Sequence, residues 1–243
     1  MPEDRSSGPT PGQATTERVR GIFSGIAADY DRLNAVLSLG IDELWRRRVV
    51  RMAQVDSDSR VLDLCCGTGD LALTMARRGR PAEVLATDFV PEMMEIAEQK
   101  VRRDPPPVPV RFAVADAQSL PFDDEQFDVV TVGFGVRNLP DRAANFREAY
   151  RVLKPGGRYL ILEMSRPPFV PFRVAYHWYL RHVVPWVGGA VSGDKKAYRY
   201  LSDSILEFPT QMALSAELHA AGFETVRYRN LTGGIVAVHV GIR

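Results

Sequence analysis

The stretch Arg60 to Leu73, RVLDLCCGTGDLAL, constrains the fold of this chain more than any other. VLDL is a short apolar run holding one acid, and GTGD followed by LALTMARR reads as a tight turn opening an apolar-periodic helix. Strand, glycine turn and helix N-terminus thus follow one another directly. Glycines in such a turn let the backbone approach a ligand, and the helix end offers free N–H groups and partial positive charge.

Downstream, strand-like and helix-like runs alternate. EVLATD (83–88) precedes the helix PEMMEIAEQKVRR, then come VRFAVAD, FDVVTVGFGV from Phe127, the helix DRAANFREAYRVL, the turn KPGG and the strand RYLILEM. This order implies a parallel sheet with helices on both faces, a doubly wound, Rossmann-like α/β fold. The segment from Pro167 onward breaks the rhythm, being aromatic-rich and helical in pattern. PTQMALSAELHAAGF then reads as a helix ended by Gly222, and two strands around Thr-Gly-Gly read as a C-terminal antiparallel hairpin at a sheet edge. The expected organisation is a disordered tail over 1–17 and one domain over 18–243, with an N-terminal helical lid at about 18–55 and a helical insertion at about 167–205.

Composition narrows the function classes. With 243 residues, 45% of them hydrophobic, the chain can bury one large core. A net charge of +1 gives no global basic field for nucleic acid. The two cysteines, Cys65 and Cys66, are adjacent, which supplies neither a disulfide framework nor a spaced metal set, and points to a reducing, cytoplasmic setting. No apolar run is long enough to span a bilayer, and the N-terminus lacks the apolar core of a signal peptide.

Ligands of open α/β sheets sit at the carboxyl ends of the strands, and three strands here end in or near acids: Asp63, Asp88 and Asp116. Two cofactor chemistries fit a glycine turn. A dinucleotide would lay its pyrophosphate on it, whereas S-adenosylmethionine would place its carboxylate and amine there. Gly67, Gly69 and Ala72 match the dinucleotide pattern G-x-G-x-x-G only loosely, and Asp88 suits a ribose of either cofactor. Asp116, next to Ala117, suits an adenine amino group, and an acid inside the first strand at Asp63 is foreign to the dinucleotide pattern. Together with Thr68 of the turn, these residues favour S-adenosylmethionine and call for no metal.

At this point the chain resembles the class I S-adenosylmethionine methyltransferases, and more closely the ubiquinone and menaquinone biosynthesis C-methyltransferases. The likeness runs from about Phe23 to the C-terminus. It rests on YDRLNAVLSLGIDELWRR (30–47), RVLKPGGRYLILEMSRP (151–167) and, between them, the F-G-x-R-N segment Phe134 to Asn138. Leu33 stands where many relatives have Met, and Gly133 where many have a Ser that touches cofactor. The resemblance implies C-methylation of a demethylated prenyl quinol, demethylmenaquinol foremost. It implies that Arg137 steadies a phenolate, that Asn138 orients a hydroxyl or water, and that Tyr30 and Asp31 close over the cofactor.

Plainer roles stand beside these. Asp63 can brace the loop, Arg137 and Asn138 can form a structural turn, Tyr30 can simply pack, and the cysteines fit as small close-packed residues. The insertion PPFVPFRVAYHWYLRHVVPWVGG offers either an apolar groove for a prenyl tail and contact with a bilayer, or a helix that covers the core. A homodimer is compatible with this reading. An O- or N-methyltransferase, a cofactor-binding module without catalysis and a nicotinamide oxidoreductase remain as alternatives.

Overall fold

The computed structural model describes residues 40–186 and 195–243, together with positions 20, 21, 24, 25, 31, 35, 37, 38 and 189. The expected tail at 1–17, Tyr30, Leu33 and parts of the lid and insertion lie outside the described residues.

Helix α1 (Asp42–Ala53) leads into β1 (Arg60–Leu64). Helix α2 starts at the glycine turn as Asp70–Thr74 and continues as a π-helical turn, Met75–Gly79. Then follow β2 (Glu83–Asp88), α3 (Pro91–Arg103), β3 (Val110–Val114), β4 (Phe127–Gly133), a 3-10 turn (Val136–Asn138) and α4 (Arg142–Val152). Strand β5 (Leu153–Met164) precedes α5 (Val170–Trp178), which runs on through a π-helical turn, Tyr179–Val183. Helices α6 (Lys195–Glu207) and α7 (Gln211–Ala220) and the strands β6 (Thr225–Leu231) and β7 (Val236–Ile242) complete the chain.

The strands form one sheet in the order β3-β2-β1-β4-β5-β7-β6, parallel except where β7 pairs antiparallel with β5 and β6. Chain order reverses between β1 and β4, so the glycine turn opens at the crevice where such sheets bind ligands. Strand alternation divides the core between the two faces. Val61, Val84, Val129, Leu160 and Val238 meet Trp45, Val49 and Met75 on one side. Leu62, Leu64, Val130, Tyr159 and Ile161 meet Phe146, Leu214 and Leu218 on the other. The expected C-terminal hairpin is present, with Thr225↔Ile242 and Leu231↔Val236 at the ends of its register.

One expectation shifts. KPGG is a bulge within β5 rather than a turn before it, since Leu153 already pairs with Phe127 and the register slips before Arg158↔Val129. The C-terminus holds it there: Gly156 N donates to Arg243 O (2.8 Å), and Arg243 N to Gly157 O (3.1 Å). Gly156 takes φ +78°, a conformation that favours glycine.

Candidate active site

The carboxyl ends of β1, β2 and β4 bring most of the expected cofactor residues together. Asp63 is the fourth residue of β1 and lies in register with Thr131 of β4, whose Oγ1 donates to Asp63 Oδ1 at 2.5 Å. Burial is nearly complete, and it pushes the Asp63 carboxyl up to about 7 against the lowering effects of that hydroxyl and of the Ala72 backbone N–H. The second oxygen, Oδ2, is buried without a hydrogen-bond partner among the described residues. A buried acceptor of this kind calls for a cationic or N–H donor.

Asp88, at the end of β2, ties two loops with one carboxylate. Oδ2 accepts from Gly67 N (2.8 Å) and Oδ1 from Val90 N (2.9 Å), and burial raises its proton affinity. Gly67 and Gly69 have φ of +54° and +80°. A Cβ on Gly69 would meet Ala97 Cβ at 3.0 Å, so turn and helix α3 approach as closely as backbone allows. Thr68 donates from Oγ1 to Asp31 Oδ1 (2.5 Å), while Lys100 Nζ lies 2.6 Å from Asp31 Oδ2 and 2.6 Å from Asp70 Oδ1. Asp31 is thereby pinned on the glycine turn. Asp116 is exposed and caps its own turn, accepting from Gln118 N (2.9 Å); Ala115 N donates to Asp88 O (3.2 Å), which keeps this turn beside β2. Ala117 is buried, its carbonyl accepting from Asn145 Nδ2 (2.9 Å).

The three sequence stretches that carry the family likeness converge on one turn. Trp45 of the first packs edge-on to Phe134 of the second, with ring centroids 6.1 Å apart, and its Nε1 donates to Thr232 Oγ1 at 2.8 Å. Glu163, from the third, accepts Arg137 Nη1 at 2.7 Å, and Nη1 also donates to Phe134 O at 2.5 Å. Backbone strain gathers at the same place, Cys65 and Phe134 having φ of +51° and +58°. A Cβ on Gly135 would stand 2.5 Å from Cys65 Cβ, so the β1 and β4 turns touch through a missing side chain. Burial pushes both cysteine thiols up, which keeps them protonated and unreactive. At Gly133 an added Cβ would meet Leu71 Cδ2 at 3.1 Å; Leu71 packs where the resemblance expects a serine.

Two clefts flank this turn. Gly67, Asp88, Phe89, Met93, Gly133 and Asn138 are among the residues lining the first. Arg137, Arg142, Arg199, Tyr200, Asp203, Ser204, Glu207 and Phe208 line the second, which is polar. Tyr200 Oη donates to Asn138 Oδ1 (3.2 Å), linking α6 to the turn.

Of the expected site residues, Gly67, Asp88, Gly133 and Asn138 share the first cleft, with Asp63 buried at the strand end and Thr68 and Gly69 in the turn. Arg137 borders the second cleft, and Asp116 lies at the rim of the β3 turn. Reading the sequence missed Glu163, Thr131, Lys100 and Tyr200. Glu163 carried a signal, as a lone acid in the apolar strand run YLILEM. The others carried none, since their partners lie far away in the chain. Among the described residues, no group of three or more His, Cys, Asp and Glu is placed to hold a metal ion.

The model of the ubiE/COQ5 methyltransferase family matches residues 12–243. The chain is 48% identical to the demethylmenaquinone methyltransferase of Thermus thermophilus over 91% of its own length and 100% of the relative's. It is 44% identical to the ubiquinone/menaquinone biosynthesis C-methyltransferase UbiE of Geobacter sp. strain M21, over 93% and 97%. In fold it is similar to a SAM-dependent methyltransferase of Thermotoga maritima (TM-score 0.67, 19% identity, 92% of this chain and 99% of that one). It is also similar to the [4+2]-cyclase SpnF (TM-score 0.60, 23% identity, 94% and 78%). A methyltransferase and a cyclase on one fold show that this structural likeness speaks for architecture alone. The match over almost the whole chain decides the matter: this protein belongs to the ubiE/COQ5 methyltransferase family and is a methyltransferase.

Proposed function

We propose that the protein transfers a methyl group from S-adenosylmethionine to a ring carbon of a demethylated prenyl quinol, with demethylmenaquinol as the acceptor, in the cytoplasm and at the inner face of the membrane. The observation that supports the cofactor reading is the buried Asp63 carboxyl beside the glycine turn, whose Oδ2 makes no hydrogen bond of good geometry among the described residues beyond the approach of the Ala72 N–H. An α-ammonium group fits that acceptor, Asp88 suits the ribose, and the turn at Asp116 suits the adenine. Asp31, bonded to Thr68, supports the reading of the N-terminal segment as a lid. The acceptor reading follows the Thermus thermophilus relative, which is named for demethylmenaquinone and has the higher identity of the two.

S-adenosylmethionine supplies an electrophilic methyl on a sulfonium. The protein's task is to present the ring in line with it and to favour the phenolate. Asn138 lines the first cleft with its amide oxygen held by Tyr200, which supports it as the residue that orients a ring oxygen. Arg137 is read as acting through position: Glu163 pairs with it and holds it against Phe134 O, which fixes the turn that carries Asn138. Transfer of the methyl to the ring carbon would leave S-adenosylhomocysteine, and the proton displaced from that carbon would pass to water as the ring regains aromaticity.

Turnover of demethylmenaquinol against a demethylated benzoquinol of equal tail length tests the acceptor. A higher kcat/KM for the naphthoquinol is expected; preference for the benzoquinol, or methylation of neither, overturns the reading.

A further inference from the structure

Helix α5 and the turn after it are apolar on the side that faces away from the protein. Tyr176, Leu180 and Val184 recur every four residues and pack with Tyr198 and Ile205 of α6. At about 100° per residue, positions two apart lie on nearly opposite faces. There Val170, Val174 and Trp178 stand 53%, 63% and 59% exposed, with Phe169 at 67% and Trp186 at 71% extending the patch. Large apolar side chains grouped on an exposed helix face mark a surface for contact.

The flank of that patch is cationic. Arg173, His177 and Arg181 form the adjoining stripe, and Arg166 stands at its base. None of the three arginines has an ion-pair partner among the described residues, and the sequence holds no Asp or Glu from Ser165 to Gly193. Their fields converge: His177 is held below its ordinary value by burial first, and then by Arg166, Arg181 and Arg173.

We propose that the outward face of α5 docks on an anionic lipid bilayer, with Val170, Val174 and Trp178 entering the interface and Arg173 and Arg181 meeting headgroup phosphates. Exposed tryptophan beside apolar side chains suits the headgroup boundary, arginine stems reach back to phosphate from such a helix, and a basic stripe adds attraction to acidic lipid. A second copy of the chain is the poorer occupant, because a two-fold interface on this stripe sets arginines against arginines. Through Tyr176 and Leu180, α5 packs on α6, which carries Tyr200 to Asn138, so docking brings the acceptor cleft to the membrane surface. Lipid binding stands on the surface itself; only its use for delivering a prenylated acceptor rests on the quinol reading.

Cosedimentation of the full chain with vesicles of phosphatidylglycerol and phosphatidylcholine, against phosphatidylcholine alone, tests this. The wild type is expected to partition to the mixed vesicles, with a blue shift of tryptophan emission. Arg173→Gln with Arg181→Gln should weaken partition about 25-fold, roughly fivefold per charge, and Val174→Ser with Trp178→Ser should abolish the blue shift. Both variants should turn over a soluble short-tailed quinol as the wild type does. Failure of the wild type to sediment with acidic vesicles, or wild-type binding by both variants, overturns the proposal. So does a concentration-dependent dimer that the serine variant loses, which assigns the face to a second copy. Vesicle binding without any quinol turnover by the wild type leaves this surface standing and removes the quinol reading instead.

Discussion

Arg137 and Glu163 form an ion pair at 2.7 Å in which the two side chains are 6% and 2% exposed. The pair joins the turn after β4 to the end of β5, and two of the sequence stretches typical of the family meet in it. Removing one partner leaves a buried charge without its counter-charge, at a cost of about 3–5 kcal/mol. Glu163→Gln is therefore expected to lower Tm and weaken binding of S-adenosylhomocysteine together with turnover. Arg137→Lys keeps the charge but not the length and planar geometry that place the single nitrogen Nη1 against both Glu163 and Phe134 O, and should show the same three losses in milder form. Measuring all three on both variants decides the role. Lost turnover with unchanged Tm and cofactor affinity would make Arg137 a catalytic group touching the acceptor.

Gly135 and Cys65 provide a second test of how tightly the turns are joined. Gly135→Ala places a Cβ 2.5 Å from Cys65 Cβ and should destabilise by about 1–3 kcal/mol. Cys65→Gly removes the clashing atom and relieves a φ of +51°, so the double variant should recover most of the loss. Additive effects in denaturant unfolding would show that the two turns do not press on each other.

The pH dependence of stability holds two opposing contributions. The Asp63 carboxyl is raised from 3.8 to about 7, so the folded state binds the extra proton; stability is present below pH 4 and lost as pH rises toward 7. His239, buried with Nε2 3.0 Å from Gln211 O, is lowered from 6.5 to about 4, so its stability is present above pH 6.5 and lost as pH falls toward 4. At about 1.4 kcal/mol per pH unit the first changes by about 4 kcal/mol and the second by about 3, so they largely offset one another between about pH 4 and 6.5. Asp63→Asn is expected to expose the histidine, giving a protein that weakens steadily on acidification through that window. An unchanged profile in urea unfolding at stepped pH would remove Asp63 as a protonated group.

Much of this architecture was legible in the sequence, for physical reasons that can be named. Short apolar runs marked β1, β2 and β4, because strands of a parallel sheet are covered on both faces, and the Thr-Gly-Gly turn between two strand-like runs marked the hairpin. Acids at strand ends singled out Asp63 and Asp88, since a charge within an apolar run is costly to bury unless a partner or a ligand answers it. KPGG reads as a turn because its place in the sheet depends on Arg243, at the far end of the chain. The pairing of Arg137 was not legible because its counter-charge, Glu163, lies at the end of β5, 26 residues on. Tyr200 was invisible, as nothing local ties α6 to Asn138.

Label transfer tests the central claim most directly. The pure protein is incubated with methyl-labelled S-adenosylmethionine and demethylmenaquinol, and the product is located by mass spectrometry and NMR. The account predicts label on a ring carbon of menaquinol, with S-adenosylhomocysteine formed in equal amount. Label on an oxygen or nitrogen, or bound cofactor with no transfer to the quinol, would contradict it.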